Sequence, residues 1–273
     1  MEYKKIASQP IGVFDSGVGG ISVLGELAAI LPNENYIYFG DRKNVPYGIK
    51  TPNEVKKLVD KIVNFLFEKQ VKIIVVACNT ATAFAIEFLR EKYHFIDFVG
   101  MEPAVKPAAL TTKTGKIGVL ATSLTLKGGH FTKTKSLYAS NVEVLEQEGS
   151  GLVQIVEQNK IGSLESINLL KRYIEPMLVE GVDKLVLGCT HYPFLIGDMK
   201  RVIGEDNKVE ILNPANAVAQ RVKILLEDAR LLNESNKSGT VKIYSNNSNF
   251  EIFHHLCTMS GKKLNYTVEY IEI

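Results

Sequence analysis

The sequence has no excess of either charge, and it has few cysteines. Its 273 residues carry 32 lysines and arginines against 30 aspartates and glutamates. This balance gives no electrostatic basis for binding nucleic acid or an anionic membrane. Three cysteines, Cys78, Cys189 and Cys257, are too few for a disulfide framework, and no CxxC or Cys/His spacing indicates a metal site. We therefore expect a metal-free protein in a reducing compartment, the cytoplasm.

Long apolar runs and a targeting segment are also missing from the pattern. The most apolar stretch, residues 71–86, is interrupted by Cys78, Asn79, Thr80 and Thr82, which argues against a membrane span. Residues 1–10 are too short and too polar for a signal peptide. We expect no membrane partner.

Short apolar segments instead alternate with segments of helical period. Residues 72–77 are apolar from Ile73 onward, which is typical of a strand in a parallel sheet covered on both faces. Residues 52–69 carry apolar side chains at the spacing of an amphipathic helix. This alternation predicts an α/β fold with mainly parallel sheets. The end of the chain, residues 240–273, adds a strand, a helix and a strand.

An internal repeat divides the chain into two similar halves. Residues 11–16 (IGVFDS) align with residues 117–122 (IGVLAT), 106 positions later. VVACNT at 75–80 aligns with VLGCTH at 186–191, and MEPA at 101–104 aligns with LNPA at 212–215, both 111 positions later. Three matches in one order predict two α/β domains related by a pseudo-twofold axis. Each domain would supply one cysteine to a cleft between them.

Cys78 and Cys189 have the setting of reactive thiols. Each follows an apolar strand and precedes a helix, where ligands of open α/β sheets bind. Free N–H groups and the helix dipole there favour a thiolate, so we expect a lowered thiol pKa. The alternative is that each is a small buried apolar residue. That alternative is favoured for Cys257, which has no such context.

Two thiols on opposite walls of a cleft suit racemisation. One base must remove the α-hydrogen from one face of a carbon, and a second group must return a proton to the other face. A thiolate and a thiol can do this and then exchange roles. A Cys–His hydrolase, the competing interpretation, needs one nucleophile and leaves the second cysteine unexplained.

Polar residues near the two thiols complete the candidate site. Asp15 opens the glycine-rich segment DSGVGG, which lacks the GxGxxG spacing and the acidic residue of a dinucleotide site. Asp15 can cap a helix or orient Cys78. His191 can be structural or can relay the proton of Cys189. Hydroxyl, amide and N–H groups suited to small carboxylates come from Ser16, Asn79, Thr80 and Thr190.

With these residues assembled, the chain resembles the glutamate racemases of the aspartate/glutamate racemase family, which make D-glutamate for bacterial peptidoglycan. The resemblance extends over nearly the whole chain. It rests on DSGVGG at 15–20, PYG at 46–48, ACNTA at 77–81 and GCTHYP at 188–193. The last two motifs are specific in combination.

The resemblance implies a role for each site residue. It implies that Cys78 acts on D-glutamate and Cys189 on L-glutamate, without pyridoxal phosphate or metal. Asp15 would assist Cys78, whereas His191 and Glu157 would assist Cys189. The positions that match substrate-binding positions are Asp15, Ser16, Pro46, Tyr47, Gly48, Asn79, Thr80, Thr190 and His191.

The resemblance also implies the domain organisation and the assembly. The first domain would comprise residues 1–103 and 214–273, the second residues 104–213, and the active site would lie between them. The protein would be a homodimer. Two further interpretations stay open: a two-cysteine racemase for aspartate or a similar amino acid, and a non-catalytic relative that binds amino acids or a protein partner.

Overall fold

The structure is a computed structural model that describes residues 6–273. Residues 1–5 begin the predicted first domain and the segment judged for a signal peptide, and they lie outside the described residues. Strands and helices alternate along the chain as predicted. In order they are β1 Ile11–Asp15, α1 Ile21–Ile30, β2 Tyr36–Gly40, α2 Pro52–Glu68, β3 Ile73–Val76, α3 Asn79–Lys92, β4 Phe98–Gly100, α4 Val105–Thr111, β5 Lys116–Ala121, α5 Ser123–Lys127, α6 Gly129–Tyr138, β6 Glu143–Glu148, α7 Leu152–Glu157, α8 Leu164–Val179, β7 Lys184–Gly188, α9 Ile196–Ile203, β8 Glu210–Leu212, α10 Ala215–Asp228, β9 Val241–Ser245, α11 Glu251–Met259 and β10 Tyr266–Tyr270.

The strands form two parallel sheets. The six-stranded sheet has the order β10-β9-β2-β1-β3-β4, and the four-stranded sheet has the order β6-β5-β7-β8. Every pairing in both sheets is parallel. The α/β class with mainly parallel sheets is therefore confirmed. Parallel strands place their carboxyl ends at one edge of a sheet. A ligand site is therefore expected beside the residues that follow β1, β3, β5 and β7.

The repeat seen in the sequence corresponds to matching positions in the two sheets. The order β2-β1-β3-β4 in one sheet equals the order β6-β5-β7-β8 in the other. The first aligned pair of segments lies on β1 and β5, and the second runs out of β3 and β7. Cys78 and Cys189 therefore follow strands of the same rank in their sheets.

The central strands are buried because helices cover both faces of the sheets. All residues of β1 and of β3 are buried, as the apolar run within residues 72–77 predicted for β3. Helix α2 begins with a capping box: Thr51 Oγ1 accepts the N–H of Glu54, and the Glu54 carboxylate accepts the N–H of Thr51. Its apolar stripe then packs on the core through residues such as Val59 and Leu66.

Two helix limits have local causes. Helix α3 begins at Asn79 because Cys78 Sγ accepts the N–H of Ala81 and acts as the N-cap. Gly128, which has an extended backbone, separates α5 from α6. The PYG turn contains a short 3-10 helix, Tyr47–Ile49.

The end of the chain returns to the first sheet. Strand β9 pairs with β2, and β10 pairs with β9. Helices α10 and α11 both contact α1, and Asn216 Nδ2 donates to the Glu26 carboxylate at 2.9 Å. No helix within residues 6–273 has the length and apolar character needed to cross a membrane.

Candidate active site

One small cavity collects residues that follow strands of both sheets. Cys78 comes after β3, and Cys189 comes directly after β7. Both thiols line the same small cavity. The predicted site residues that line it are Ser16, Pro46, Tyr47, Gly48, Cys78, Asn79, Thr80, Cys189, Thr190 and His191. The other two predicted residues, Asp15 and Glu157, are held behind the wall by hydrogen bonds to Thr190 and His191.

Cys78 is buried and held as a neutral thiol. Its Sγ accepts the N–H of Ala81 at 3.4 Å and lies 3.7 Å from the Ser16 hydroxyl. Burial raises the pKa of Cys78 to about 12; the charge of Asp15 adds to this shift, and the hydrogen bonds with Ala81 and Ser16 oppose it. The expectation of a lowered pKa at a helix N-terminus is wrong for this thiol, because desolvation outweighs the helix dipole.

Asp15 links the two halves of the site. Its Oδ1 accepts the N–H of Gly17 and its Oδ2 accepts the hydroxyl of Thr190, both at 2.9 Å. The side chain does not cap α1, whose N-cap is Gly20, so the capping interpretation is wrong. Burial raises the pKa of Asp15, although a charged His191 opposes the shift. A buried carboxyl of this kind can hold or release a proton near Cys78.

Cys189 has a different environment from that of Cys78. Its Sγ lies 3.7 Å from Nδ1 of His191, within reach for proton exchange. The other ring nitrogen, Nε2, is 2.8 Å from Oε1 of Glu157. Burial alone would lower the pKa of His191, but Cys189 and Glu157 raise it well above its usual value. The imidazole therefore retains a proton that it can share with the sulfur.

Glycines 17 and 19 let these groups approach the backbone closely. A Cβ at Gly17 would overlap Oε1 of Glu157 and lie 3.0 Å from its Cδ. A Cβ at Gly19 would overlap the His191 ring and lie 2.6 Å from the Thr190 hydroxyl. The segment after β1 is glycine-rich because side chains from the opposite half occupy that space.

Asn79 is the clearest sign that the cavity suits a polar ligand. Its side chain is buried and lines the cavity, yet neither Nδ2 nor Oδ1 has a hydrogen-bond partner. An unpaired buried amide costs about 1–3 kcal/mol. A polar molecule in the cavity would remove that cost. Beside it, Tyr47 is fixed by its hydroxyl, which donates to Asp41 at 2.5 Å.

Three residues of this site were not predicted from the sequence. Thr122 and Val153 also line the cavity, and the Thr122 hydroxyl lies 3.0 Å from that of Thr80. The repeat could have identified Thr122, since it aligns with Ser16. Arg42 donates from Nε to Oε2 of Glu157 at 2.9 Å, and nothing in the sequence indicated that contact. Within the described residues, no cluster of three or more His, Cys, Asp or Glu side chains could hold a metal ion.

Comparisons with known proteins agree on one family. The model of the Asp/Glu/Hydantoin racemase family matches residues 11–222. The glutamate racemase of Herpetosiphon aurantiacus is 45% identical over 234 residues, which are 86% of this chain and 91% of that protein. The crystal structure of Francisella tularensis glutamate racemase in complex with D-glutamate superposes with a TM-score of 0.82 at 27% identity, covering 97% of this chain and 98% of that one.

A second solved structure agrees. Escherichia coli glutamate racemase, in complex with L-glutamate and the activator UDP-MurNAc-Ala, has a TM-score of 0.82 at 30% identity, covering 96% of this chain and 98% of that one. The resemblance inferred from the four motifs is thus confirmed over most of the length. This chain belongs to the Asp/Glu/Hydantoin racemase family.

Proposed function

We propose that this protein is a glutamate racemase that interconverts L- and D-glutamate with two cysteine thiols. One observation carries the proposal: Cys78 and Cys189 follow matching strands of two sheets and line one cavity. Inversion of a carbon centre requires proton transfer at opposite faces, and a thiol from each half of the molecule meets that requirement.

The reaction begins with one thiolate and one thiol. In the L-to-D direction, Cys189 as thiolate removes the α-hydrogen as a proton, and the electron pair remains on the α-carbon. Cys78 as thiol then donates its proton to the opposite face, which leaves Cys189 protonated and Cys78 ionised. The D-to-L direction reverses both transfers. The neutral state of buried Cys78 suits it to be the donor in the first direction.

Neighbouring residues assist each thiol. His191 Nδ1, at 3.7 Å from the Cys189 sulfur, takes and returns the thiol proton. Glu157 holds the ring through Nε2. On the other side, the charge of Asp15 raises the pKa of Cys78. Burial raises the pKa of Asp15 itself, so this carboxyl can also hold a proton.

The substrate is held by polar groups of the cavity wall. The unpaired amide of Asn79 supplies a donor and an acceptor, and hydroxyls and backbone groups come from Ser16, Thr80 and Thr190. Pro46, Tyr47 and Gly48 line the same cavity. These groups suit the carboxylates and the ammonium group of an amino acid. No pyridoxal phosphate or metal takes part in this proposal.

The finer organisation is proposed with it. The division into residues 1–103 plus 214–273 and residues 104–213, related by a pseudo-twofold axis, is supported by the membership of the two sheets. A cytoplasmic homodimer that supplies D-glutamate for peptidoglycan synthesis follows from the resemblance. Light scattering on the purified protein measures the subunit number, and a single-subunit mass would contradict the dimer.

A racemisation assay in D₂O tests the function. L-glutamate and L-aspartate are incubated with wild type, Cys78→Ala, Cys189→Ala and Cys257→Ala, and optical rotation and α-deuteration are followed. Wild type is expected to racemise glutamate and to exchange its α-hydrogen. Both active-site variants should lose racemisation by a factor of about 1,000 or more. Cys257, buried outside the cavity, provides the matched control and should retain activity.

Each competing function has its own outcome in the same assay. Racemisation of aspartate but not glutamate would assign the other substrate. Full activity in either Cys78→Ala or Cys189→Ala would contradict the two-base mechanism. Binding of glutamate without exchange in any variant would favour a non-catalytic binding protein.

A further inference from the structure

Arg42 connects three parts of the chain at the back of the active site. It lies two residues beyond β2 and is almost buried, with 8% of its side chain exposed. Its Nε donates to Oε2 of Glu157 at 2.9 Å, and NH2 donates to the main-chain oxygen of Glu157 at 3.4 Å. NH1 donates to the carbonyl of Asn249 at 2.5 Å, and the guanidinium lies 5.7 Å from the ring centre of Phe253.

These contacts decide how Glu157 is oriented. Oε1 accepts the N–H of Val18 at 2.7 Å and faces His191 Nε2 at 2.8 Å. Oε2 is taken by Arg42. With one oxygen held by the guanidinium, the carboxylate cannot rotate away from the imidazole. Arg42 follows β2 of the six-stranded sheet, and Glu157 ends α7, which lies between β6 and β7 of the four-stranded sheet. The ion pair therefore also joins the two halves of the molecule.

An arginine suits this position better than a lysine. The planar guanidinium fixes several N–H groups in set directions, and here they reach Glu157 and Asn249 while its face packs on Phe253. A lysine would retain the charge but not the geometry. A lysine variant can therefore separate the contribution of the charge from the contribution of the guanidinium geometry.

We propose that Arg42 is a positioning residue of the racemisation reaction, which holds Glu157 and, through it, the His191 ring beside Cys189. This inference rests on the proposed function. Arg42 is not among the side chains that line the cavity, so it acts on the reaction without touching substrate.

The charges around His191 define the electrostatic consequence. Glu157, Asp15 and the Cys189 sulfur act on the ring, and Arg42 is paired with Glu157 on the side away from it. Burial would raise the pKa of Glu157, but His191, the Val18 N–H and Arg42 lower it. Without Arg42, the full charge of Glu157 would act on His191. The ring would then hold its proton more strongly and exchange it less readily with Cys189.

The experiment compares Arg42→Met and Arg42→Lys with Lys43→Met. Lys43 is adjacent, and its ion pair with Glu272 is exposed, so Lys43→Met removes one charge without disturbing the site. In Arg42→Met we expect kcat to fall about 10- to 100-fold with KM changed only a few-fold. Arg42→Lys should recover part of kcat. The pKa of His191, followed in the pH profile of kcat/KM, should move to higher pH in Arg42→Met.

Isotope effects separate positioning from general damage. If proton transfer at Cys189 becomes slower, the primary isotope effect on α-deuterated L-glutamate rises. The isotope effect on α-deuterated D-glutamate falls, because the transfer of its α-deuteron to Cys78 is then a smaller part of the rate limitation. The equilibrium constant between enantiomers is unity, so kcat/KM must fall equally in both directions, which checks the data. A loss of folded protein would lower activity without opposite changes.

Several results would overturn the inference. An Arg42→Met variant with the same kcat and the same isotope effects as the wild type would overturn it. If Arg42→Met does not fold, Arg42→Lys decides: it should show the same opposite changes in milder form, and wild-type values would assign Arg42 to stability alone. If wild type itself fails to racemise glutamate, the proposed function fails, and that result is independent of any Arg42 variant.

Discussion

A single methyl group at position 17 should uncouple Glu157 from the active site. In Gly17→Ala the new Cβ would overlap Oε1 of Glu157, lie 3.0 Å from Cδ and lie 3.1 Å from a methyl of Val45. Carbon and oxygen atoms do not approach so closely, so the carboxylate must retreat by about 1 Å. It would retreat from the two groups that now bind Oε1, the Val18 N–H and the His191 ring.

The size of the effect follows from those two hydrogen bonds. They measure 2.7 and 2.8 Å, and a retreat of about 1 Å lengthens both beyond the hydrogen-bond range. Hydrogen bonds to a charged group contribute about 1.5–3 kcal/mol each. Arg42 and water that enters the site would still stabilise the displaced carboxylate in part. We therefore expect the unfolding free energy to fall by about 1–3 kcal/mol. A misplaced catalytic group costs about 100-fold in rate, or about 2.7 kcal/mol of barrier.

Gly197→Ala is the matched control. A Cβ at Gly197 meets nothing within 4 Å, and the residue lies in helix α9. Alanine should stabilise that helix by about 0.5–1 kcal/mol and leave kcat unchanged. Racemisation followed by circular dichroism gives kcat and KM, and urea unfolding gives stability. Wild-type kcat in folded Gly17→Ala would refute the reasoning, since Glu157 would then not depend on its contact with the glycine segment.

Three further predictions address other groups. Asn79→Ala should raise KM for glutamate about 10- to 100-fold and leave thermal stability unchanged or higher, because the Asn79 amide has no protein partner. An unchanged KM would contradict this. Lys72→Met should cost about 3–5 kcal/mol in urea unfolding with kcat retained, because it strands the buried carboxylate of Glu34; wild-type stability would be the contrary result. Burial raises the pKa of Cys257 from 9.0 to about 12, so the folded state keeps the proton longer, and unfolding free energy should fall as pH rises above about 9. Cys257→Ala should show a shallower decline between about pH 8 and 10.5, and equal slopes would count against it.

Much of the fold was predictable because its signals are local or periodic. A continuous apolar run such as β3 and a striped segment such as α2 specify their secondary structure within a few residues of chain. The repeat also predicted which strands of the two halves correspond, since aligned segments had to lie on strands at the same position in each sheet. Helix limits were less certain. The start of α3 depends on the Cys78 sulfur as N-cap, and cysteine is not among the usual capping residues.

The candidate site was predictable where it lies next to strand ends. Cys78, Asn79 and Thr190 could be located from sequence because parallel strands end at one edge. The contact of Arg42 with Glu157 spans 115 positions, and no local pattern encodes it. The pKa of Cys78 was predicted to be lowered but is raised, for a related reason. The helix N-terminus is visible in sequence, whereas the extent of burial arises only when both halves close around the thiol.

The two halves share a topology but not the surroundings of their thiols. Cys78 caps a regular helix and its thiol donates to the Ser16 hydroxyl, whereas Cys189 lies beside a histidine held by Glu157. A bound amino acid is not symmetric about its α-carbon, because one substituent is ammonium and another is carboxylate. In the proposed mechanism, equal positions are needed to reach both faces of that carbon, but unequal neighbours are needed to match the different groups that each face presents. On this proposal the repeat accounts for where the thiols lie, and its divergence accounts for how each can be protonated and ionised in turn.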